Sequence, residues 1–352
     1  MAAQVLKPQV YEPSVKLENN DPEPVEFPLA LSFADSQLRL DDIVQEAVRL
    51  ARSGELDTLL NKHGAVYFKG LGLKDAGEFS EFAHAFGWVP HEDIGNPVRR
   101  TVHAKNVASA NEGPNTQPVY PHNEFGLSPH YPSYVLFYCV TAPETVLLYD
   151  RLKEKYPQFI DELQEKGVKY QLFYPNGPKD QVASAGTTVR QSYGHHITDN
   201  DDTETARAKV EKEIRRLPTA TWEWENQSSE NELGDLRVWQ VLPAIRDHPK
   251  NGRPAFFNNI VSRFLNAIDN DTLQPPHKTK DGNFRPPALY GDGSLIPREY
   301  LDEAVRIIYE TRALVSWQAG DVLLLDNHAV QHGREPWTGY RLCIDKKSKM
   351  TS

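Results

Sequence analysis

Hydrophobic residues recur at helical spacing in several stretches of the chain. Residues 40–62 carry this pattern and predict one or two helices, and residues 74–87 predict an amphipathic helix that ends at Gly87. Residues 298–313 predict a helix with its apolar side chains on one face. Further helices are predicted at 146–167, apart from an internal proline, and at 204–217.

Short apolar runs predict the strands, at residues 64–70, 133–143, 235–245, 254–261 and 320–333. Unusual polar residues collect near these strands, whereas the helical segments carry solvated faces. The pattern predicts a mainly β fold, an antiparallel β-sandwich or jelly roll with helical insertions. The sequence has no glycine-rich dinucleotide motif after a strand and no P-loop, so nucleotide sites of these kinds have no support.

The N-terminal residues differ in composition from the rest of the chain. Residues 1–35 are rich in proline and acidic residues and are interpreted as an irregular arm on the surface. Residues 36–352 are interpreted as a single catalytic domain, with a long insert at about 150–235.

The overall composition narrows the class of partner. The 352 residues carry a formal net charge of −10 and no basic block, so neither nucleic acid nor an anionic membrane is expected to bind. Two cysteines, Cys139 and Cys343, exclude a disulfide scaffold, and no apolar run is long enough for a signal peptide or membrane span. A cytoplasmic protein with a small-molecule substrate is expected, as a monomer or homo-oligomer.

Two short segments hold residues that can bind a metal. The stretch TQPVYPHNEFG contains His122 and Glu124, which would share one face of a strand. The stretch LLLDNHAVQHGREPWTGYR contains His328 and His332. Two imidazoles and one carboxylate on one face of an ion leave three positions open, as in non-haem iron(II) oxygenases. The same ligands also occur in zinc hydrolases, and an H-x-E pair alone is more often structural.

A guanidinium strengthens the oxygenase interpretation. Arg341 follows His332 in the second segment and is predicted to lie on the next strand. Arginine is the natural bidentate partner of a carboxylate. A metal triad beside a carboxylate clamp describes a site for 2-oxoglutarate.

These stretches resemble the taurine dioxygenase superfamily, and in particular its clavaminate synthase-like branch. The similarity includes TQPVYPHNEFGLSPHYPSYVLFYCVTAPE, YGDGSLIPREYLDEAVRII and WQAGDVLLLDNHAVQHGREPWTGYR, and extends from about residue 60 to 344. The resemblance implies a double-stranded β-helix (jelly-roll) core and a dioxygenase that uses Fe(II), 2-oxoglutarate and O₂, with ascorbate as a supporting reductant.

The resemblance also assigns roles to individual residues. His122, Glu124 and His332 match the metal ligands, and Arg341 matches the arginine that binds 2-oxoglutarate. His328 and Arg334 are interpreted as structural. Members of the family usually carry a GGET-like loop whose threonine helps to hold 2-oxoglutarate. Here the chain reads APETVLLYDRL without the glycine pair, and Thr145 is the candidate remnant.

The reaction implied is hydroxylation, desaturation or oxidative cyclisation of a small molecule, with an amino acid, an amino-acid derivative or a natural-product intermediate as substrate. Six residues are candidate substrate contacts because they flank the ligands, lie in the insert or end a strand: Gln117, Asn123, Phe125, Arg190, Tyr193 and Asn258. Two other functions remain open. One is an impaired family member that binds metal or 2-oxoglutarate without turnover, and the other is a zinc-dependent hydrolase.

Overall fold

The computed structural model describes residues 6–17, 23–33, 39–95, 100–110, 113–137, 141–142, 145–177, 188–280, 282–336 and 344–349. The helices within these ranges are α1 (Leu40–Ser53), α2 (Glu55–His63), α3 (Ala76–Ala85), α4 (Thr145–Lys155), α5 (Pro157–Lys166), α6 (Val189–Ser192), α7 (Thr203–Ile214), α8 (Ile260–Asp269) and α9 (Arg298–Thr311). Among these described residues, no helix has the length and apolar character needed to cross a membrane.

The strands are shorter and more numerous than the helices. They are β1 (Lys7–Pro8), β2 (Val15–Leu17), β3 (Val25–Phe27), β4 (Leu29–Ser32), β5 (Ala65–Phe68), β6 (Val89–Pro90), β7 (Val102–Ala104), β8 (Val107–Ser109), β9 (Val119–His122), β10 (Tyr134–Phe137), β11 (Thr141–Ala142), β12 (Val168–Tyr174), β13 (Ala220–Glu225), β14 (Asp235–Leu242), β15 (Arg246–Asp247), β16 (Pro254–Ala255), β17 (Leu289–Tyr290), β18 (Ala313–Leu314), β19 (Val322–Asp326), β20 (His332–Arg334) and β21 (Ile344–Lys349). The protein therefore combines helices with a large amount of β-sheet.

A large sheet forms the centre of the molecule. Its strand order is β1-β4-β5-β19-β10-β21-β8-β7, and β6 pairs with β21. Side chains alternate between its two faces, as strand geometry requires. Tyr134 and Leu136 of β10 pack with the apolar faces of helices α1 to α3, whereas Val135 and Phe137 pack on the opposite side. The sheet is buried on both faces, which explains why its central strands read as continuous apolar runs in the sequence.

A second sheet packs against the face of the large sheet that carries Val135 and Phe137. Its strand order is β18-β11-β20-β9. The core between the sheets joins Ala313 of β18 to Val135, Phe137 and Leu323 of the large sheet. Polar side chains that point inward from the two facing sheets can come into contact in the space between them.

A third sheet includes part of the region predicted as an insert, together with β17 from later in the chain. Strands β13-β14-β12-β17 pair in that order, and β12 and β14 are aligned in antiparallel register from Val168 opposite Leu242 to Tyr174 opposite Leu236. Helix α7 packs on this sheet through Ala206, Val210 and Ile214. The apolar cluster that joins this helix to the sheet also includes Ile94 from an earlier segment, so the bounds of the insert stay a prediction.

The N-terminal residues differ from the predicted surface arm. Strand β4 lies inside the large sheet, because it pairs in parallel with β5. Tyr11 and Phe27 are buried in the core between the sheets, and Leu6 is buried against the helices. The proline and acidic residues predicted an irregular segment on the surface, but the apolar residues between them pack into the core and hold the segment there.

Two predicted strands also differ. The apolar run at 133–143 contributes to two sheets, with β10 in the large sheet and β11 in the second. The run at 254–261 contains only the two-residue strand β16, and helix α8 begins at Ile260. Short apolar runs do not distinguish a strand from the buried face of a helix. The predicted helices are all present, and Pro157 begins α5 at a position where a missing N–H costs nothing.

Candidate metal centre

Two imidazoles lie side by side on the second sheet. His122 ends β9 and His332 begins β20, and the two residues are direct partners in the antiparallel pairing. Their ring centroids are 4.3 Å apart. The Nδ1–H of His122 donates to the Tyr120 carbonyl oxygen at 2.8 Å, so its Nε2 lone pair remains available for a metal. Residues 210 positions apart are thus brought together by strand pairing.

The carboxylate of Glu124 completes the group. One of its oxygens, Oε2, lies 3.1 Å from Nε2 of His332 and 3.8 Å from Nε2 of His122. One ligand atom from each residue can be chosen so that all three lie within 4.8 Å of one another. Strand β9 ends at His122, so Glu124 reaches the site from a turn rather than from the strand face that the sequence predicted.

Buried amides hold this turn in place. The Glu124 N–H donates to Oδ1 of Asn327 at 2.8 Å, and Nδ2 of Asn327 donates to the Glu124 carbonyl oxygen at 3.0 Å. Asn123 donates to the Asn327 carbonyl oxygen at 2.7 Å and accepts from the Asn258 N–H at 3.0 Å. The residue that follows β19 and the turn that carries Glu124 are therefore locked together, which fixes the carboxylate relative to His332.

Asn123 and Asn258, two of the predicted substrate contacts, are part of this buried network. Both side chains are completely buried. Asn258 donates to the Ala244 carbonyl oxygen at 2.9 Å and accepts from the Ile260 N–H at 3.0 Å. Asn123 also accepts from Gln331. Their hydrogen-bonding groups are used within the protein, so the structure gives them a scaffolding role, and their contact with substrate stays a prediction.

The charge of Glu124 is compensated by two cations. Burial alone would raise the pKa of Glu124, but Lys347 and Arg100 outweigh this effect and hold it well below its ordinary value. Lys347 Nζ lies 2.9 Å and Arg100 Nη2 lies 3.2 Å from Oε1. The carboxylate is therefore ionised at neutral pH, as a metal ligand must be.

His332 is equally suited to binding. Burial lowers its pKa to about 4, and the neighbouring His122 adds to this effect. The ring packs against Phe137 of the large sheet, with centroids 4.6 Å apart. A neutral imidazole in an apolar wall is the form that donates a lone pair to a metal. Two nitrogens and one carboxylate oxygen, without thiolates, suit iron(II) or another divalent first-row metal.

Comparison with known proteins identifies the family of the chain. Residues 27–344 match the family model described as taurine catabolism dioxygenase TauD, TfdA family. The chain belongs to this family. TauD/TfdA enzymes are Fe(II)- and 2-oxoglutarate-dependent dioxygenases, and the sequence prediction of the enzyme class is confirmed.

Two curated relatives have similar length. A clavaminate synthase-like protein of Arabidopsis thaliana is 28% identical over 291 residues, which cover 80% of each chain. The dapdiamide synthesis protein DdaC of Enterobacter agglomerans is 24% identical over 294 residues, covering 81% of this chain and 82% of DdaC. The structure of the non-haem iron oxygenase OrfP with iron, succinate and (3S)-hydroxy-L-arginine is 14% identical, covers 91% of this chain and 87% of OrfP, and has a TM-score of 0.47.

The remaining candidate substrate residues of this TauD/TfdA protein have different surroundings. Phe125 follows Glu124 in a left-handed conformation with φ of 56° and is buried against His91. Tyr193 is 1% exposed and packs on Tyr174, and its contact with substrate stays a prediction. Gln117 is exposed, and its carbonyl oxygen accepts from Arg334. Arg190 is half-buried in α6.

Two predicted cofactor residues remain predictions. Arg341 lies outside the described residues. The backbone of Thr145 begins α4, but its side chain is outside the described part of the structure.

His328 has the structural role expected of it in this family member. Its ring is buried and packs against Phe257 and Tyr131, and its backbone N–H donates to the Asp326 carboxylate. It therefore supports the turn that leads to His332.

Sequence reasoning missed Arg100 and Lys347. Arg100 lies 24 residues before Glu124, and no motif of the family led to it. The signal for Lys347 was the composition of its strand, because IDKKSK at 344–349 is a charged run in a sheet whose neighbours are apolar. A buried charged strand indicates a partner of opposite charge nearby.

Proposed function

We propose that this protein is an Fe(II)- and 2-oxoglutarate-dependent dioxygenase that oxidises a small molecule by hydroxylation, desaturation or oxidative cyclisation. The observation that carries the proposal is the convergence of His122, Glu124 and His332 at the edge of the second sheet. Three ligands on one side of an ion leave room for a chelating keto acid and O₂.

The chain's own residues supply binding and orientation. When bound, iron(II) with 2-oxoglutarate and O₂ supplies oxidation of an unactivated C–H bond, coupled to formation of succinate and CO₂. His122 and His332 present imidazole nitrogens, and Glu124 presents a carboxylate oxygen. Phe137 covers the His332 ring and limits access of water from that side. Arg341 is proposed to bind the distal carboxylate of 2-oxoglutarate, and Thr145 to assist it.

The finer fold and the substrate class are part of the same proposal. We propose that the two facing sheets are the halves of a double-stranded β-helix. An amino acid, an amino-acid derivative or a natural-product intermediate is proposed as substrate, because the relatives include a dapdiamide synthesis protein and a clavaminate synthase-like protein. Gln117 and Arg190 are the proposed substrate contacts whose side chains are not fully buried.

Uncoupled turnover tests the proposal without knowledge of the substrate. The purified protein is given Fe(II), 2-oxoglutarate and ascorbate, and succinate is measured. Slow succinate formation is expected, and His122→Ala and His332→Ala should reduce it to the background of metal alone. His195→Ala is the matched control, because His195 is an exposed histidine outside the triad. It should retain the wild-type rate.

Other outcomes separate the alternatives. Binding of 2-oxoglutarate in calorimetry without succinate on a broad substrate screen would indicate an impaired family member. Bound zinc with hydrolytic activity that ignores iron and 2-oxoglutarate would indicate a hydrolase. Equal succinate formation by wild type and His122→Ala would refute the metal centre itself.

A further inference from the structure

Strand β21 presents its charged side chains alternately to the two faces of the large sheet. Lys347 is the register partner of Val135, and Asp345 is the partner of Phe137, so both lie on the face that looks onto the metal centre. Lys346 is the partner of Leu136 and lies on the helix-covered face, where its Nζ donates to the Ala83 carbonyl oxygen at 2.8 Å. One strand thus carries two buried lysines with separate environments.

The two oxygens of Glu124 have different partners. Oε2 faces the imidazoles of His122 and His332. Oε1 lies 2.9 Å from Lys347 Nζ and accepts a hydrogen bond from Arg100 Nη2 at 3.2 Å. The carboxylate is therefore divided into a metal-facing oxygen and an oxygen held by two N–H donors, before any ion is added.

Each cation also has an acid of its own. Arg100 Nη1 lies 2.6 Å from Oδ2 of Asp345, and Lys347 Nζ lies 3.6 Å from Oδ2 of Asp93. Burial raises the pKa of Asp345, and Arg100 and Lys347 oppose the shift. Paired in this way, the cations offer directed donors to Glu124 while their charges are largely compensated. Repulsion of a divalent ion by Lys347 and Arg100 is correspondingly small.

Packing keeps Lys347 in this position. Its side chain is 8% exposed, and Nζ lies 4.4 Å from the centre of the Phe125 ring. Phe125 itself is buried and has a left-handed backbone, with φ of 56°. His91, whose ring packs edge-on against Phe125, adds no charge because burial lowers its pKa to about 3.

We propose that Lys347 and Arg100 are positioning residues that hold the outer oxygen of Glu124, so that this ligand binds a divalent metal through Oε2 alone. A carboxylate free to bind through both oxygens would occupy one more of the coordination positions that the keto acid and O₂ require. The inference rests on the proposed function, because it assumes that His122, Glu124 and His332 hold a metal.

The test compares two substitutions of neighbouring buried lysines. Co(II) is titrated into metal-free wild type, Lys347→Met and Lys346→Met, and both the dissociation constant and the visible absorption of bound Co(II) are measured. Lys347→Met removes a partner that orients a ligand, and an increase of about 10- to 100-fold in the dissociation constant is expected. Its absorption bands should shift, because the released carboxylate changes the coordination of Co(II).

Lys346→Met is the matched control, since it makes the same chemical change on the opposite face of the same strand. Its dissociation constant and absorption bands should equal those of the wild type. Circular dichroism melting of all three proteins establishes that they are folded.

Three results overturn the inference. Unchanged affinity and spectrum in Lys347→Met would show that the lysine does not position Glu124. Equal losses in both lysine variants would assign the effect to the strand as a whole. A wild type that binds no Co(II) would refute the proposed metal centre and this inference together, so the two failures are distinguishable.

Discussion

Replacing Lys346 with methionine is expected to stabilise the protein at neutral pH, because the lysine is buried among apolar groups. Its side chain is 1% exposed and faces the helices that cover the large sheet. Burial lowers its pKa to about 8 from the ordinary 10.5, and the charge of Lys105 adds to the effect. The lysine therefore costs the folded protein free energy wherever it is protonated.

The size of this cost follows from the two pKa values. Below about pH 8, a pKa difference of about 2.5 corresponds to about 3 kcal/mol. Loss of the hydrogen bond to Ala83 offsets about 1 kcal/mol of the gain, so Lys346→Met should raise the free energy of unfolding by about 2 kcal/mol at pH 7. Methionine fills a similar volume and leaves no large cavity.

The pH dependence gives the sharper test. Between pH 8 and 10.5 the unfolded chain binds the proton that the folded protein has released, so the wild type gains stability with rising pH. The methionine variant lacks this gain, and its advantage should shrink by about 2 kcal/mol between pH 7 and pH 9.5. Other groups titrate alike in both proteins and cancel in the difference.

Urea unfolding of both proteins at the two pH values measures this difference. A gap that stays constant between pH 7 and 9.5 would refute the shifted pKa of Lys346. A variant less stable than the wild type at pH 7 would show that the ammonium is better accommodated than its burial indicates.

Further substitutions probe the scaffold around the site. Asn123→Ala leaves buried N–H and carbonyl groups without partners and should cost about 2–4 kcal/mol in urea unfolding, whereas a loss below 1 kcal/mol would contradict its place in the amide network. Asp326→Asn removes the charged acceptor of His248 Nε2–H, 3.0 Å away, and should lower the free energy of unfolding by about 1–3 kcal/mol at pH 7. Burial alone would raise the pKa of Asp326, yet this pKa lies below its ordinary value. The stabilisation by Asp326 is therefore present above about pH 4 and is lost as pH falls further. The wild type and Asp326→Asn should accordingly have similar free energies of unfolding in acid. Gly291→Ala would drive a Cβ into the Lys166 carbonyl oxygen and should lower the melting temperature by several degrees, and an unchanged melting temperature would show that the loop yields.

The clearest sequence predictions concerned local patterns. Helical periodicity located α1, α2, α3, α7 and α9 because each buries a single apolar stripe. The ligands His122, Glu124 and His332 were also predicted, because few residue types bind iron and their segments match a family pattern. Chemistry that depends on residue type is visible in the chain before folding.

The N-terminal segment and the amide network show where local reasoning ended. Proline and acidic residues in the first 35 positions gave no sign that β4 would pair in parallel with β5, since pairing partners are chosen by the whole sheet. Asn123 stood beside a ligand and was predicted to contact substrate, but its burial depends on Asn327 and Asn258, far along the chain. A side chain's direction within a turn is set by such distant partners.

By itself, the sequence determined the class of enzyme, the three residues proposed as metal ligands and most of the helices, because these follow from residue chemistry and local periodicity. Only the tertiary structure decided which oxygen of Glu124 faces the histidines and which one meets Lys347 and Arg100. That division depends on β9, β20 and β21 lying in two facing sheets. The register between strands distant in the chain is set by packing of the whole core and leaves no local trace in the sequence.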